Sequence, residues 1–265
     1  MILLAAFHPY RFVWDPGWMV GLAAVGVAYP YVVRRYERRG SRVPLWRRAC
    51  FFTGLAIVVL ALFSPVEHLA LTSMVSAHLL QNVMIVDWGP PLLVLGVTPA
   101  MAATVERHLP IRGPRLAWVG LAVWLAAFYT LHLPFYYDYA LTHYWALDIE
   151  HVVFIVAGVL FWWPELTPGH LSYGQKVIYL FAAFLLIGPL DLVLALAGTP
   201  IYTFYLHTPK LWGLSPLQDQ QIGAITMTIE QNVILFAACG AACVKMLAQD
   251  GLDGEGVVEA TEALS

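Results

Sequence analysis

Val177-Ile-Tyr-Leu-Phe-Ala-Ala-Phe-Leu-Leu-Ile-Gly-Pro-Leu-Asp-Leu-Val-Leu-Ala-Leu-Ala197 carries a single charged residue, Asp191, in 21 positions. A helix crossing the hydrocarbon core of a bilayer needs roughly 20 mostly apolar residues. The segment therefore reads as a transmembrane helix. Gly188-Pro189 breaks its hydrogen-bond ladder, and the Asp191 carboxyl, if protonated, could answer the freed backbone groups. Six further apolar stretches flank it, at 18–33, 49–63, 74–95, 116–133, 147–163 and 221–246. The stretches at 49–63 and 147–163 are short and must borrow flanking residues. Pro44, Pro65, Pro110, Pro134, Pro164 and Pro216 are expected in the connections, where proline costs no helix bond. The fold class is all-α: a polytopic integral membrane protein of seven transmembrane helices.

Composition excludes the main alternatives. Hydrophobic residues make up 60% and charged residues 12%, where soluble domains hold about 45–50% and about 25%. A soluble globule or a disordered chain does not fit those values. Three cysteines without a CxxC pair do not form a disulfide framework. Net charge is −3, and no basic patch suggests nucleic acid. No P-loop, GxSxG, HExxH or bis-histidine heme pattern occurs, so an enzyme reading lacks a nucleophile or base. The 10 Trp, 13 Tyr and 13 Phe suit a chain rich in membrane–water boundaries.

Lys and Arg set the expected orientation. Seven arginines lie between Arg34 and Arg48, and Arg107, Arg112, Arg115, Lys176 and Lys245 fall on the same side. Only Arg11 and Lys210 fall on the other. The basic side is read as cytoplasmic, with the N-terminus outside and the C-terminus inside. Met1–Phe7 lacks a signal-peptide pattern, so no cleavage is expected. One domain spans 1–248, and 249–265, rich in Gly, Asp and Glu, is expected to be a mobile cytoplasmic tail.

This topology gathers seven of the nine histidines on the outer side. His8, His68, His132, His143 and His207 fall in loops or helix ends. His78 and His151 lie about one turn inside their helices, where an ionisable group usually faces a partner or a cavity. Met74, His78 and Asn82 recur every fourth residue and share a helix face. Imidazole with a thioether suits Cu(I); the alternative is a histidine bonded to a neighbouring helix with Met74 filling a gap. Glu150 and Asp148 stand beside His151, where a carboxylate can fix a tautomer or make a plain interhelical bond. Asp219 is placed to cap the last helix, and Asp219, Gly223, Thr226 and Glu230 form a stripe along it. Asp87, Asp191 and Glu230 are deep carboxylates that make polar contacts in the bundle or line a proton path. Cys239 and Cys243, one turn apart among small residues, suit close helix packing or Cu(I).

Three ordered motifs resemble those of CtaG-type cytochrome c oxidase assembly proteins, the family linked to caa-type oxidases. They are Ser76-Ala-His78-Leu-Leu-Gln81-Asn82 running on to Trp88-Gly-Pro90-Pro91-Leu-Leu-Val-Leu-Gly96, then Glu150-His151 through Phe161-Trp162-Trp163-Pro164, then Ser215-Pro216-Leu-Gln-Asp219-Gln220-Gln221-Ile-Gly223. Pro134-Phe-Tyr-Tyr-Asp138 and Pro200-Ile-Tyr202 also fit. The similarity runs from about Pro65 to Lys245. It implies a membrane assembly factor for a heme–copper oxidase, assisting copper insertion on the outer side of a bacterial-type inner membrane. Its partners would be oxidase or other respiratory-complex subunits and the lipid bilayer. His78, His151 and Met74 are then the candidate copper ligands, with Asn82, Glu150, Asp219 and Gln220 supporting. No other cofactor is implied. Asn82 and Leu147 stand where the family often has further histidines, and Met227-Thr228 where it often has a Trp. The alternatives left open are a metal-free accessory subunit of a respiratory complex and a copper or proton transporter.

Overall fold

Caps and prolines set where the helices begin. Asp15 accepts from Trp18 N at 3.0 Å and Pro16 occupies the first turn of α1, Pro16–Glu37. The computed structural model describes residues 8–262, with side chains described through 249. Met1–Phe7, read above for a signal peptide, lie outside the described residues. α2 is Leu45–Phe63. Ser64 then caps α3, Pro65–Thr72, by accepting from Val66 N at 3.2 Å. The third span is built from α4, Val75–Val83, a π-helical turn, Met84–Trp88, and α5, Gly89–Leu95. α6, Pro99–Glu106, folds away from it at 109°. α7 is Pro114–Leu131, α8 Pro134–Thr142 and α9 Tyr144–Leu166. α10, Tyr173–Leu196, opens on a capping box in which Ser172 and Gln175 bond each other's backbone. A 3-10 turn, Phe204–Leu206, precedes α11, Pro216–Glu262.

Six of these helices are long and apolar enough to cross a membrane, or seven when the bent pair Val75–Leu95 and Pro99–Glu106 counts as one span. Among the described residues there is no strand. Pro164, expected in a connection, lies inside α9. α11 continues as helix to Glu262, through the stretch expected to be a mobile tail.

The π-turn has a local cause and a tertiary one. Pro90 and Pro91 have no N–H to return to the Val86 and Asp87 carbonyls, so the ordinary ladder fails there. α9 then lies against the turn at Gly158, where a Cβ would stand 2.2 Å from the Val86 carbonyl oxygen. Asp87, inside the turn, accepts from Trp124 Nε1 of α7 at 3.2 Å and from Gln231 Nε2 of α11 at 3.1 Å. Trp124 stacks on Phe161 at 4.7 Å, and Phe161 on Tyr179 at 5.0 Å, joining α7, α9 and α10. In α10, Pro189 lacks the N–H that would bond the Leu185 carbonyl. The neighbouring Leu186 carbonyl accepts from the Tyr129 hydroxyl of α7 at 2.7 Å.

α1 is peripheral, with only Tyr29 and Val33 buried. One end is fixed by Trp18 Nε1 donating to Asp148 at 2.7 Å, the other by the Tyr29 hydroxyl donating to the Gly96 carbonyl at 2.9 Å. At that second end Arg47 donates to the Leu95 and Val97 carbonyls at 2.8 and 2.6 Å and closes the C-terminus of α5. The Arg34–Arg48 segment thus sits at one end of the bundle. Trp18, Asp148 and the start of α9 sit at the other, about 30 Å away along α1.

Candidate functional site

His78 is fully buried in the first turns of α4. Its Nε2 meets Glu150 Oε1 of α9 at 3.2 Å and its Nδ1 meets the Tyr205 hydroxyl at 3.3 Å. Tyr205 donates to the Ala70 carbonyl at 2.6 Å, so its oxygen accepts from His78 Nδ1–H. The contact between Nε2 and Oε1 then needs a proton of its own. Imidazole with carboxylic acid and imidazolium with carboxylate both satisfy it, and both leave the pair with no net charge. That neutrality lets two ionisable groups sit inside the span. Tyr137 of α8 packs on the His78 ring at 4.7 Å and stacks on Tyr202 at 3.7 Å.

The partner of His78 on α9 is therefore Glu150. His151, the next residue, presents its ring to Trp18 of α1 at 6.0 Å. Its Nε2 is buried without a hydrogen bond, as is Glu150 Oε2. A third bare donor comes from His132, at the helix end just past α7. Its Nδ1 meets the Phe128 carbonyl at 2.9 Å, which assigns the proton to Nδ1 and leaves the buried Nε2 with a free lone pair. A ring held by Nδ1 with Nε2 bare is the form in which histidine binds metals. Asn82, one turn deeper on α4, is also buried with both amide atoms unpartnered.

Met74 is not in the helix with His78. It is the residue before α4, in extended backbone, and lines a small cavity with Asp219, Lys210 and Tyr205. Among the described residues no group of three or more His, Cys, Asp and Glu side chains is arranged to hold a metal ion.

Asp219 caps a helix, although not its own. It accepts from Val75 N at 2.7 Å, Ser76 N at 3.4 Å and Ser76 Oγ at 2.5 Å, and so holds the N-terminus of α4, where His78 resides. Gln220 accepts from Ile201 N at 2.7 Å and donates to the Leu194 carbonyl at 3.1 Å. Gln221 donates to the Ala197 carbonyl at 3.3 Å. Three consecutive side chains thus tie α11 to α4 and to the end of α10.

The family model described as cytochrome c oxidase caa3 assembly factor matches residues 27–249. The chain belongs to that family. Among curated proteins and solved structures, nothing matches it. In this member of the family the opening residues of the three quoted motifs meet at one end of the bundle. The first motif supplies His78 on α4, the α9 motif Glu150 and His151, and the Asp-Gln-Gln motif the joint that holds α4. Asp138 of α8 accepts from Thr203 N, Thr203 Oγ1 and Phe204 N at 3.0, 2.6 and 3.3 Å, and so positions the 3-10 turn that presents Tyr205 to His78. At the opposite end Glu106 accepts from Trp163 Nε1 at 3.0 Å and pairs with His170 Nε2 at 2.8 Å, tying α6 to α9. Cys50, Cys239 and Cys243 are free and half-buried.

Proposed function

We propose that this caa3 assembly factor acts in the bacterial inner membrane and hands Cu(I) to the maturing oxidase on the outer side. The observation that carries this reading is three buried donor atoms without a partner: Glu150 Oε2, Nε2 of its chain neighbour His151, and His132 Nε2. Imidazole nitrogens suit copper, and burial without partners costs free energy that a cargo ion would offset. Copper is cargo in this reading, not a resident cofactor. The positive-inside tendency supports placing the Arg34–Arg48 end in the cytoplasm, which puts the donors outside. A cysteine introduced at Thr142 is expected to react with an impermeant thiol reagent in intact cells, and one at Ser41 is not. Labelling at Ser41 would reverse the orientation.

Removing a donor tests the cargo. His132→Ala and His151→Ala are expected to weaken Cu(I) binding to the purified chain about 10- to 100-fold. The copper-to-heme ratio of the oxidase should fall in the same strains. An unchanged ratio in both variants refutes copper transfer. It would instead favour the metal-free accessory reading, which one feature supports: both ring nitrogens of His78 already have partners within the chain.

A further inference from the structure

We infer that the groove between α10 and α11 docks a transmembrane helix of the client oxidase through a hydrogen bond to Asp191. This rests on the assembly-factor reading and names the kind of partner it serves. The groove encloses about 560 Å³ and is walled by Leu192 and Ile229, both largely exposed on the outside of the bundle. Gly188 and Pro189 are among its lining residues, where α10 carries little side-chain bulk. Three polar groups look onto this apolar trough: Asp191, Thr228 and Asn232. Asp191 is 3% exposed, and its Oδ1 has no hydrogen-bond partner.

A buried carboxyl oxygen without a partner is costly in hydrocarbon, where no water can reach it. An acyl chain would fill the groove and leave that oxygen bare. Once the carboxyl turns toward the groove it lines, a helix carrying a Ser, Thr, Asn, Gln or basic side chain at the matching depth fills the groove and supplies the missing donor, the usual way polar residues join helices in a bilayer. The depth suits the site as well. Asp191 stands five residues before the end of α10, about 8 Å in, and Gln220 bonds that end of α10 to the joint holding α4. The contact with Asp191 would lie in the same half of the membrane as His78 and Glu150.

Photo-crosslinking in native membranes tests this. A photoreactive amino acid at Leu192 or Ile229 is expected to form an adduct with a transmembrane helix of an oxidase subunit, mapped by mass spectrometry. Asp191→Leu should lower its yield about tenfold, the equivalent of one lost hydrogen bond, and Asp191→Asn, which keeps an acceptor, should retain it. If Asp191→Leu does not accumulate, Ile225→Trp, which fills the groove from an exposed position, should abolish the adduct instead. Adducts to lipid alone, adducts to a second copy of this chain, or an oxidase adduct indifferent to these substitutions each overturn the inference. Deleting the chain separates the two readings. Normal oxidase assembly in the deletion strain removes the assembly role, whereas failed assembly together with lipid-only adducts removes the groove alone.

Discussion

Glu150→Ala is expected to destabilise the folded chain by about 3–5 kcal/mol, because it leaves His78 buried without the group that balances its Nε2. The loss is read as a lower melting temperature in detergent. Glu150→Gln separates packing from protonation. Its amide can donate to Nε2 while Nδ1–H still bonds Tyr205, so the fold is kept at a cost of about 1 kcal/mol. The carboxylate is gone, and the neighbouring donors lose their one anionic companion. Glu150→Gln should therefore melt near wild type and fail in copper transfer. If Glu150→Ala melts with the wild type, the pair does not anchor α4 to α9.

Asp219→Ala should free the start of α4. Three accepted hydrogen bonds disappear, two from backbone amides that have no other partner at a helix N-terminus. A carboxylate in that role is worth about 3 kcal/mol in total, between a single cap and the sum of three charge-assisted bonds. Amide exchange at Val75 and Ser76 should quicken about 100-fold, the equivalent of that energy, while the amides of α7 stay protected. Unchanged exchange at Ser76 would show that α4 holds its own N-terminus. Asp219→Asn, which keeps one acceptor oxygen, should fall between the two.

The membrane path was legible because hydropathy is a sum over many residues and survives local exceptions. Its boundaries were less so. α2 begins at Leu45, before the apolar run, because Trp46, Arg47 and Arg48 join the helix while Arg47 turns back to the Leu95 and Val97 carbonyls. Local pattern also suggested that Asp219 caps its own helix. The residue type was right and the helix was wrong, since nothing near residue 219 announces a contact 144 positions away. The pairing of His78 with Glu150 instead of His151 is likewise a matter of helix rotation, which period alone leaves undetermined to within a residue. His132 was missed because position in a loop or at a helix end says nothing of burial. The bond from Nδ1 to Phe128 O is local, at four residues, and is the one sign that could have singled it out.

The π-turn at Met84–Trp88 makes the third span two helices out of phase. Continued as one α-helix, the same residues would advance about 100° each, and an inserted residue shifts everything beyond it by one such step. The half bearing His78 and Asn82 therefore keeps its face toward Glu150 and α11, while the turn itself aims Asp87 at Trp124 and Gln231. Neither heading dictates the other. The turn works as a coupling between two shafts set at different angles, so side chains on the outer half can change without re-aiming the polar knot deep in the bundle.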